Sequence, residues 1–223
     1  MKKLILSLIL GACLFSFISC GKATKMTYIG HASVKIVAKD GTVLYIDPAY
    51  DKGDLSVPAD YILVTHGHED HKPSRDLKLK DGGKKIDNFD ALKKGEYKTF
   101  DFGSFHVEAV PAGGNEGHDV RYCVGYLVTV DGVTIYHAGD TSMIEQMKNL
   151  QSRHIDYAMY PIDGIYNMDA VEATEVAKLV GAKKNIPIHA YNVKDQPKKE
   201  EKFTPEGRML LEYGQTINLK PQS

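Results

Sequence analysis

One buried strand that ends in imidazoles constrains this chain more than any other feature. Tyr61-Ile62-Leu63-Val64-Thr65 is a continuous apolar and β-branched run, as expected of a strand covered on both faces. It is followed at once by His66-Gly67-His68-Glu69-Asp70-His71. Imidazole nitrogen and carboxylate oxygen are the usual ligands of zinc and other borderline divalent ions. His66 and His68 lie two apart at a strand exit, where extended backbone points alternate side chains the same way. Asp70 and His71 can turn a second pair toward a neighbouring ion, so the two adjacent clusters predict two metals rather than one. A solvated polar loop has no physical reason to end the most apolar strand with so many imidazoles.

The rest of the chain supplies a scaffold for such a loop. Tyr28-Ile29, Ser33 to Ala38 and Val43 to Ile46 are β-rich, with Asp40-Gly41 as a hairpin turn signal. Residues 72–95 are rich in Lys, Asp and Gly and predict a surface excursion with little core. Strands are expected again at Tyr97 to Asp101, Phe105 to Val110, Tyr122 to Val130, Val133 to Tyr136, Asp156 to Pro161 and Ile186 to Ile188. Thr141 to Leu150 has apolar residues at helical spacing with Thr141 as N-cap, and Ala170 to Val180 is a helix closed by Gly181. Thr204-Pro205-Glu206 is expected to open a last helix, and Thr216 to Leu219 to close a sheet. Two β-rich halves covered by helices make one α/β sandwich.

More ligand-type residues fall at strand ends. Gly139-Asp140-Thr141 places a carboxylate able to bridge two ions, although Asp140 taken alone reads as a helix cap. His189 follows Ile186-Pro187-Ile188, and His118 lies in the Gly-rich loop Pro111 to His118. Each is weak singly. Four separate segments ending on such residues predict one rim. Asp47 is suited to orient a bound imidazole from behind. His31 follows a strand and is a candidate to face substrate. His137 is expected to be a satisfied core histidine, and His106 and His154 surface residues.

At this point the residues resemble the metallo-β-lactamase superfamily. The resemblance is carried by Thr65 to His71, Gly139-Asp140-Thr141 and Pro187-Ile188-His189. The branch that includes ascorbate-6-phosphate lactonase is suggested by Gly30-His31-Ala32, Ile46-Asp47-Pro48, Val110-Pro111-Ala112, Ile135 to Thr141, and Tyr166-Asn167-Met168. The resemblance implies a four-layer αββα sandwich, here residues 26–223, with metals on one edge. It implies that His66, His68 and a third histidine hold the first ion. Asp70, His71 and His189 would hold the second, with Asp140 between the two. His118 is the choice for the third histidine, with Asn115 able to occupy part of that place. Relatives carry a helix and a strand before the turn matching Gly95-Glu96. The short lysine-rich stretch here predicts a missing pocket wall.

The N-terminus reads as an address. Lys2 and Lys3 precede an apolar run, Leu4 to Ile18, that is shorter than the roughly 20 residues of a membrane span. With the finish Phe17-Ile18-Ser19-Cys20-Gly21 it resembles a bacterial lipoprotein signal, although Phe17 departs from the usual Leu. The expectation is a signal peptide over 1–19, a lipidated tether over 20–25 anchored through Cys20, and placement on the bacterial cell envelope. Cys123 is then the one remaining thiol, expected to be buried and inert. The balance of 28 basic and 29 acidic residues gives no footprint for nucleic acid. Lys78, Lys80, Lys84, Lys85, Lys93 and Lys94 either favour an anionic small-molecule substrate or form a solvated face.

The expected cofactors are two divalent ions, zinc first, with manganese or iron as alternatives. Two ions about 3.5–4 Å apart can share a water and lower its pKa toward 7, giving a bridging hydroxide. The expected activity is hydrolysis of an ester, lactone or phosphodiester, with Asp70 both binding metal and orienting the nucleophile. Tyr191 is placed either to donate to an oxyanion or to pack. The sequence has no Gly-x-Ser-x-Gly elbow, which leaves covalent serine catalysis without its usual signal. The rival readings are an iron-binding oxidoreductase on the same fold and a non-catalytic surface protein that keeps a metal for stability.

Overall fold

The computed structural model describes residues 22–50, 53–190 and 194–222. The expected signal segment over 1–19, Cys20 and Tyr191 lie outside the described residues. The chain opens with β1 (Lys25–Gly30), β2 (Ser33–Val37), β3 (Val43–Ile46), β4 (Ala59–Leu63) and β5 (Leu79–Ile86). A short helix α1 (Asn88–Ala91) and the ribbon β6 (Leu92–Lys93) and β7 (Glu96–Tyr97) lead to the second half. That half holds β8 (Thr99–Asp101), β9 (Phe105–Pro111), β10 (Val124–Val130), β11 (Val133–His137), β12 (Tyr157–Pro161) and β13 (Lys184–Ile188), with helix α2 (Ala170–Val180) between the last two strands. Helix α3 (Gln196–Lys202) follows, and β14 (Gln215–Asn218) returns to pair with β1.

Two mixed six-stranded sheets result, in the orders β14-β1-β2-β3-β4-β5 and β13-β12-β11-β10-β9-β8. Their inner faces make the main core. Val34, Ile36, Leu44, Ile46 and Leu63 meet Val107, Tyr126, Val128, Ile135, Met159 and Ile186. Residues of the same strands that point outward make separate layers. Leu127, Tyr136, Ala158 and Tyr160 pack beneath Ala173, Val176, Ala177 and Val180 of α2. On the other side Val43, Tyr45, Ile62 and Val64 are covered by Leu55, Leu77 and Tyr50, which belong to loops. The sandwich stands as the resemblance implies, with helical cover concentrated over the second sheet. Helix α2 has the boundaries its spacing predicts. Asp169 caps it by accepting from the Val171 and Glu172 N–H groups, and Gly181 ends it in the left-handed region.

Three expectations are corrected. Residues 72–95 are more than a surface excursion, because β5 extends the first sheet parallel to β4. Its side chains are nearly all exposed, so no burial pattern marks it. Lysines and glycines on an outer strand also discourage edge-to-edge pairing. The strand expected of relatives before the Gly95-Glu96 turn is therefore present, and residues 72–78 form turns rather than a helix. Thr141 does not cap a helix. Its hydroxyl donates to the Gly113 carbonyl and accepts from the Gly113 N–H, leaving 145–153 as a 3₁₀ segment. Finally, the last helix precedes Thr204 instead of starting there. Gly207 lies so close to the Lys183 carbonyl that a Cβ would sit 2.0 Å from its oxygen, which holds this segment in a turn against β13.

The topology brings the predicted rim together. β3 and β4 run parallel, as do β11, β12 and β13, so their C-terminal ends share one edge of the sandwich. Backbone contacts close that edge across the two sheets. Val124 N–H donates to the Thr65 carbonyl at 3.0 Å, and His189 N–H to the His31 carbonyl at 2.9 Å. His137 is buried, and its Nε2 lies 2.9 Å from the Ala32 carbonyl, the cross-sheet latch of a satisfied core histidine.

Candidate metal centre

Five loops deliver side chains to this edge. The β4 exit supplies His66, His68, Asp70 and His71, the β9–β10 loop supplies His118, the β11 exit supplies Asp140, and the β13 exit supplies His189. The turn between β1 and β2 adds His31. Close backbone approach fixes the loop geometry. Gly139 has φ +64, and a Cβ there would lie 2.9 Å from the Val124 carbonyl oxygen and 3.0 Å from the Thr65 Cβ. Gly113 has φ +97, and a Cβ would lie 2.5 Å from the His118 carbonyl oxygen. Larger residues would push Asp140 and His118 apart.

The side chains form two clusters that meet at one carboxylate. In the first, His66 Nε2 and His118 Nε2 lie 3.0 Å and 3.2 Å from His68 Nδ1. In the second, His71 Nε2 lies 3.2 Å from Asp140 Oδ1, and His189 Nε2 lies 3.3 Å from Asp140 Oδ2. Asp140 Oδ2 is also 3.2 Å from His118 Nε2, so this carboxylate touches both clusters. Asp70 Oδ2 lies 3.1 Å from His31 Nε2 and 3.7 Å from His189 Nε2. Asp70 is half exposed, whereas Asp140, His66, His71, His118 and His189 are buried.

Outer groups hold the imidazoles in place. Asp47 is buried, and its Oδ2 lies 2.7 Å from His71 Nδ1. The same carboxylate accepts from the Thr65 N–H and hydroxyl at 2.8 and 2.6 Å, and the Thr65 oxygen lies 3.1 Å from His66 Nδ1. His118 Nδ1 lies 3.0 Å from Asn115 Oδ1, and His189 Nδ1 lies 3.0 Å from Asp163 Oδ2. Acceptors placed behind a ring in this way put its proton outward and its lone pair inward.

The inward atoms fit a cation. His71 Nε2, Asp140 Oδ1 and His189 Nε2 are buried without an aligned hydrogen bond. Buried polar atoms are rarely left so, and several nitrogens facing one another need protons or a metal among them. The electrostatics agree. Burial opposes charge on His71, but Asp140 and Asp47 outweigh it and hold its pKa well above the ordinary value. His189 is raised to about 9, with burial again overcome by Asp140, Asp163 and Asp70. His66 is lowered to about 3 by burial and by its neighbour His71. Burial works against charge on Asp140 too, yet the surrounding imidazoles hold its carboxyl well below the usual range. Asp70 is lowered by the imidazoles of His189 and His31 beside it. The edge is a negative cage in which protons occupy positions suited to divalent cations.

Residues 25–189 match the Beta-lactamase superfamily domain family. A UPF0173 metal-dependent hydrolase from Shouchella clausii (strain KSM-K16) is 32% identical over 232 residues, covering 87% of this chain and 100% of the relative. YtkL of Bacillus subtilis (strain 168), also a UPF0173 metal-dependent hydrolase, is 30% identical and covers 87% and 100%. The chain belongs to this family. A crystal structure from Parabacteroides distasonis ATCC 8503, described as a metal-dependent hydrolase, superposes with a TM-score of 0.71 at 27% identity, covering 84% of this chain and 91% of that one. Igni18, a metallo hydrolase from Ignicoccus hospitalis, shares the fold, with a TM-score of 0.68 at 22% identity over 89% and 99%.

The structure thus gathers His66, His68, His118, Asp70, His71, Asp140 and His189 at one UPF0173 site, with Asp47 behind His71 and His31 against Asp70. Sequence reasoning missed Asp163. Ile162-Asp163-Gly164 has the signature of a turn, and the carboxylate does make one, accepting from the Ile165, Tyr166 and Asn167 N–H groups. Its place at a strand exit was the usable signal. Sequence reasoning also gave Thr65 no role. His106 pairs with Asp101 on the surface, and His154 is exposed. Cys123 is buried, and burial pushes its thiol up to about 12, too high for a nucleophile at neutral pH.

Proposed function

We propose that this protein is a dinuclear metal-dependent hydrolase acting on an ester, lactone or phosphodiester. The observation that carries this reading is the meeting of two imidazole clusters on the buried carboxylate of Asp140. His66, His68 and His118 would hold one divalent ion and Asp70, His71 and His189 the other, with Asp140 shared. Bound ions would supply water activation near neutral pH and charge stabilisation at the scissile group.

The chain's own residues do the rest. Asp70 combines a depressed pKa with an exposed oxygen, so it stays ionised and accepts a hydrogen bond from an attacking water, orienting it. Asp47 and Asp163 keep His71 and His189 from rotating. A cleft of about 470 Å³ opens beside the His118 loop, lined by Asn115, Glu116, Ser142, Ile165, Tyr166 and Asn167. Among the described residues, none that lines it is basic. Lys80, Lys85 and Lys93 pair with Asp60, Asp87 and Asp90 on the surface. The cleft favours a substrate with an apolar part against Ile165 and Tyr166, leaving any charge at the scissile bond to the bound ions. The N-terminal pattern adds a lipid anchor through Cys20 on the bacterial cell envelope.

The test is metal content of the mature chain purified without chelators, beside Asp140→Ala, followed by a screen of chromogenic esters, lactones and phosphodiesters. Two divalent ions per chain, halved or lost in the variant, together with metal-dependent turnover, are expected. A metal-free wild type would refute the reading, and iron with oxygen uptake would replace it by redox chemistry.

A further inference from the structure

His31 stands in the tight turn between β1 and β2 with φ +55, in the left-handed region. A non-glycine residue there is strained, and such strain persists only where surrounding contacts enforce it. They do. The His31 carbonyl accepts from the His189 N–H and from the Tyr28 hydroxyl, each at 2.9 Å. Gly30 before it has φ +145 and packs against Tyr50 and Tyr213, which leaves the turn no room to relax. The enforced backbone directs the His31 ring over His189, with ring centres 3.7 Å apart, and sets Nε2 against Asp70 Oδ2 at 3.1 Å.

The position has a further property. Each of His31, Asp70, His71 and His189 offers one ligand atom, and the four atoms lie within 4.8 Å of one another. Two donors on one ion at ordinary zinc-to-nitrogen or zinc-to-oxygen lengths and at right angles are separated by about 3 Å, the spacing seen between His31 and Asp70.

We propose that His31 is a third imidazole ligand of the ion held by Asp70, His71 and His189. With Asp140, that ion then has five protein donors. Zinc prefers four. A set of three imidazoles and two carboxylates suits a six-coordinate ion such as manganese or ferrous iron, leaving one place for water or substrate. The two halves of the centre thereby differ in preference, with the compact cluster of His66, His68 and His118 retaining the zinc-like character. This inference rests on the dinuclear reading and sharpens it.

Cobalt(II) loading of the mature chain tests the idea, because its visible absorption and its paramagnetically shifted imidazole N–H signals report coordination directly. His31→Gly removes the ring and relieves the left-handed strain, while His31→Asn keeps a residue that tolerates it. Both variants should fold and keep two cobalt sites. In each, one cobalt should be held at least about tenfold more weakly. Its weak six-coordinate absorption should strengthen, and one shifted imidazole proton should disappear. Added imidazole should restore the wild-type spectrum in His31→Gly. Weakened cobalt binding with unchanged absorption and unchanged proton count would overturn the proposal and leave His31 as a hydrogen-bond partner. A wild type that takes up fewer than two cobalt ions would overturn the dinuclear reading itself.

Discussion

Replacing Asp47 by Asn changes one buried atom and should weaken a metal that Asp47 never touches. Asp47 has φ +46, which Asn tolerates, so the backbone stays in place. Its Oδ1 accepts from the Thr65 N–H, and an amide oxygen preserves that bond. Its Oδ2 faces the Thr65 hydroxyl at 2.6 Å and His71 Nδ1 at 2.7 Å. An amide NH₂ in that place meets groups that were donating. Two charge-assisted hydrogen bonds, each worth about 1.5–3 kcal/mol, are lost. The smaller cost of burying an amide than a carboxylate offsets part of this, leaving a net loss of about 3 kcal/mol. For a domain of this size that lowers Tm by roughly 6–12 °C. The loss should appear in the metal-free chain by thermal or urea unfolding. Chelator competition should show the ion at His71 held about 10–100-fold more weakly. A Tm within about 2 °C of wild type, below 1 kcal/mol by the same scaling, together with unchanged metal affinity, would refute the argument that Asp47 orients His71.

Asp163→Asn tests a pH dependence. Burial raises the Asp163 carboxyl, but His189 and the N–H groups of Ile165 and Tyr166 overcome it and hold it at about 2. A folded-state value below the unfolded one contributes stability that is fully present above about pH 4 and lost as pH falls through about 2. The contribution is about 2 kcal/mol, so the stability gap between metal-free wild type and variant should narrow by that amount between pH 6 and pH 2. A gap that stays constant across this range would show that Asp163 acts without its charge. Cys20→Ser should move the full-length protein from the membrane fraction to the soluble envelope fraction and abolish labelling by radioactive palmitate. Unchanged labelling would remove Cys20 as the anchor.

What was legible in the sequence was whatever a single segment had to do by itself. His66 to His71 need only their own spacing and the apolar strand before them. Asp140 and His189 stand at strand exits that the β-rich runs reveal. Helix α2 carries its own cap and its own glycine stop. What was not legible depended on partners distant in sequence. Thr141 looks like an N-cap until the Gly113 loop takes both of its hydrogen-bonding functions. Asp163 looks like an ordinary turn residue until His189 arrives beside it. Strand β5 gives no alternation because its ladder with β4 leaves six of its eight side chains exposed to water. Helix α3 buries none of its side chains, so it has no apolar stripe to find.

The donors at the shared edge come from both sheets. His66, His68, Asp70 and His71 belong to the first, and His118, Asp140 and His189 to the second. A cation seated there is a rivet between halves of the protein as well as a reagent. An unfolded chain cannot assemble such a set, so an ion present at about 100 times its dissociation constant adds about 2.7 kcal/mol to the folded state. Metal supply then governs how long each molecule lasts as well as how fast it works. Under starvation the empty protein opens more often and meets proteases more often. Its abundance should therefore track the metal available to the cell.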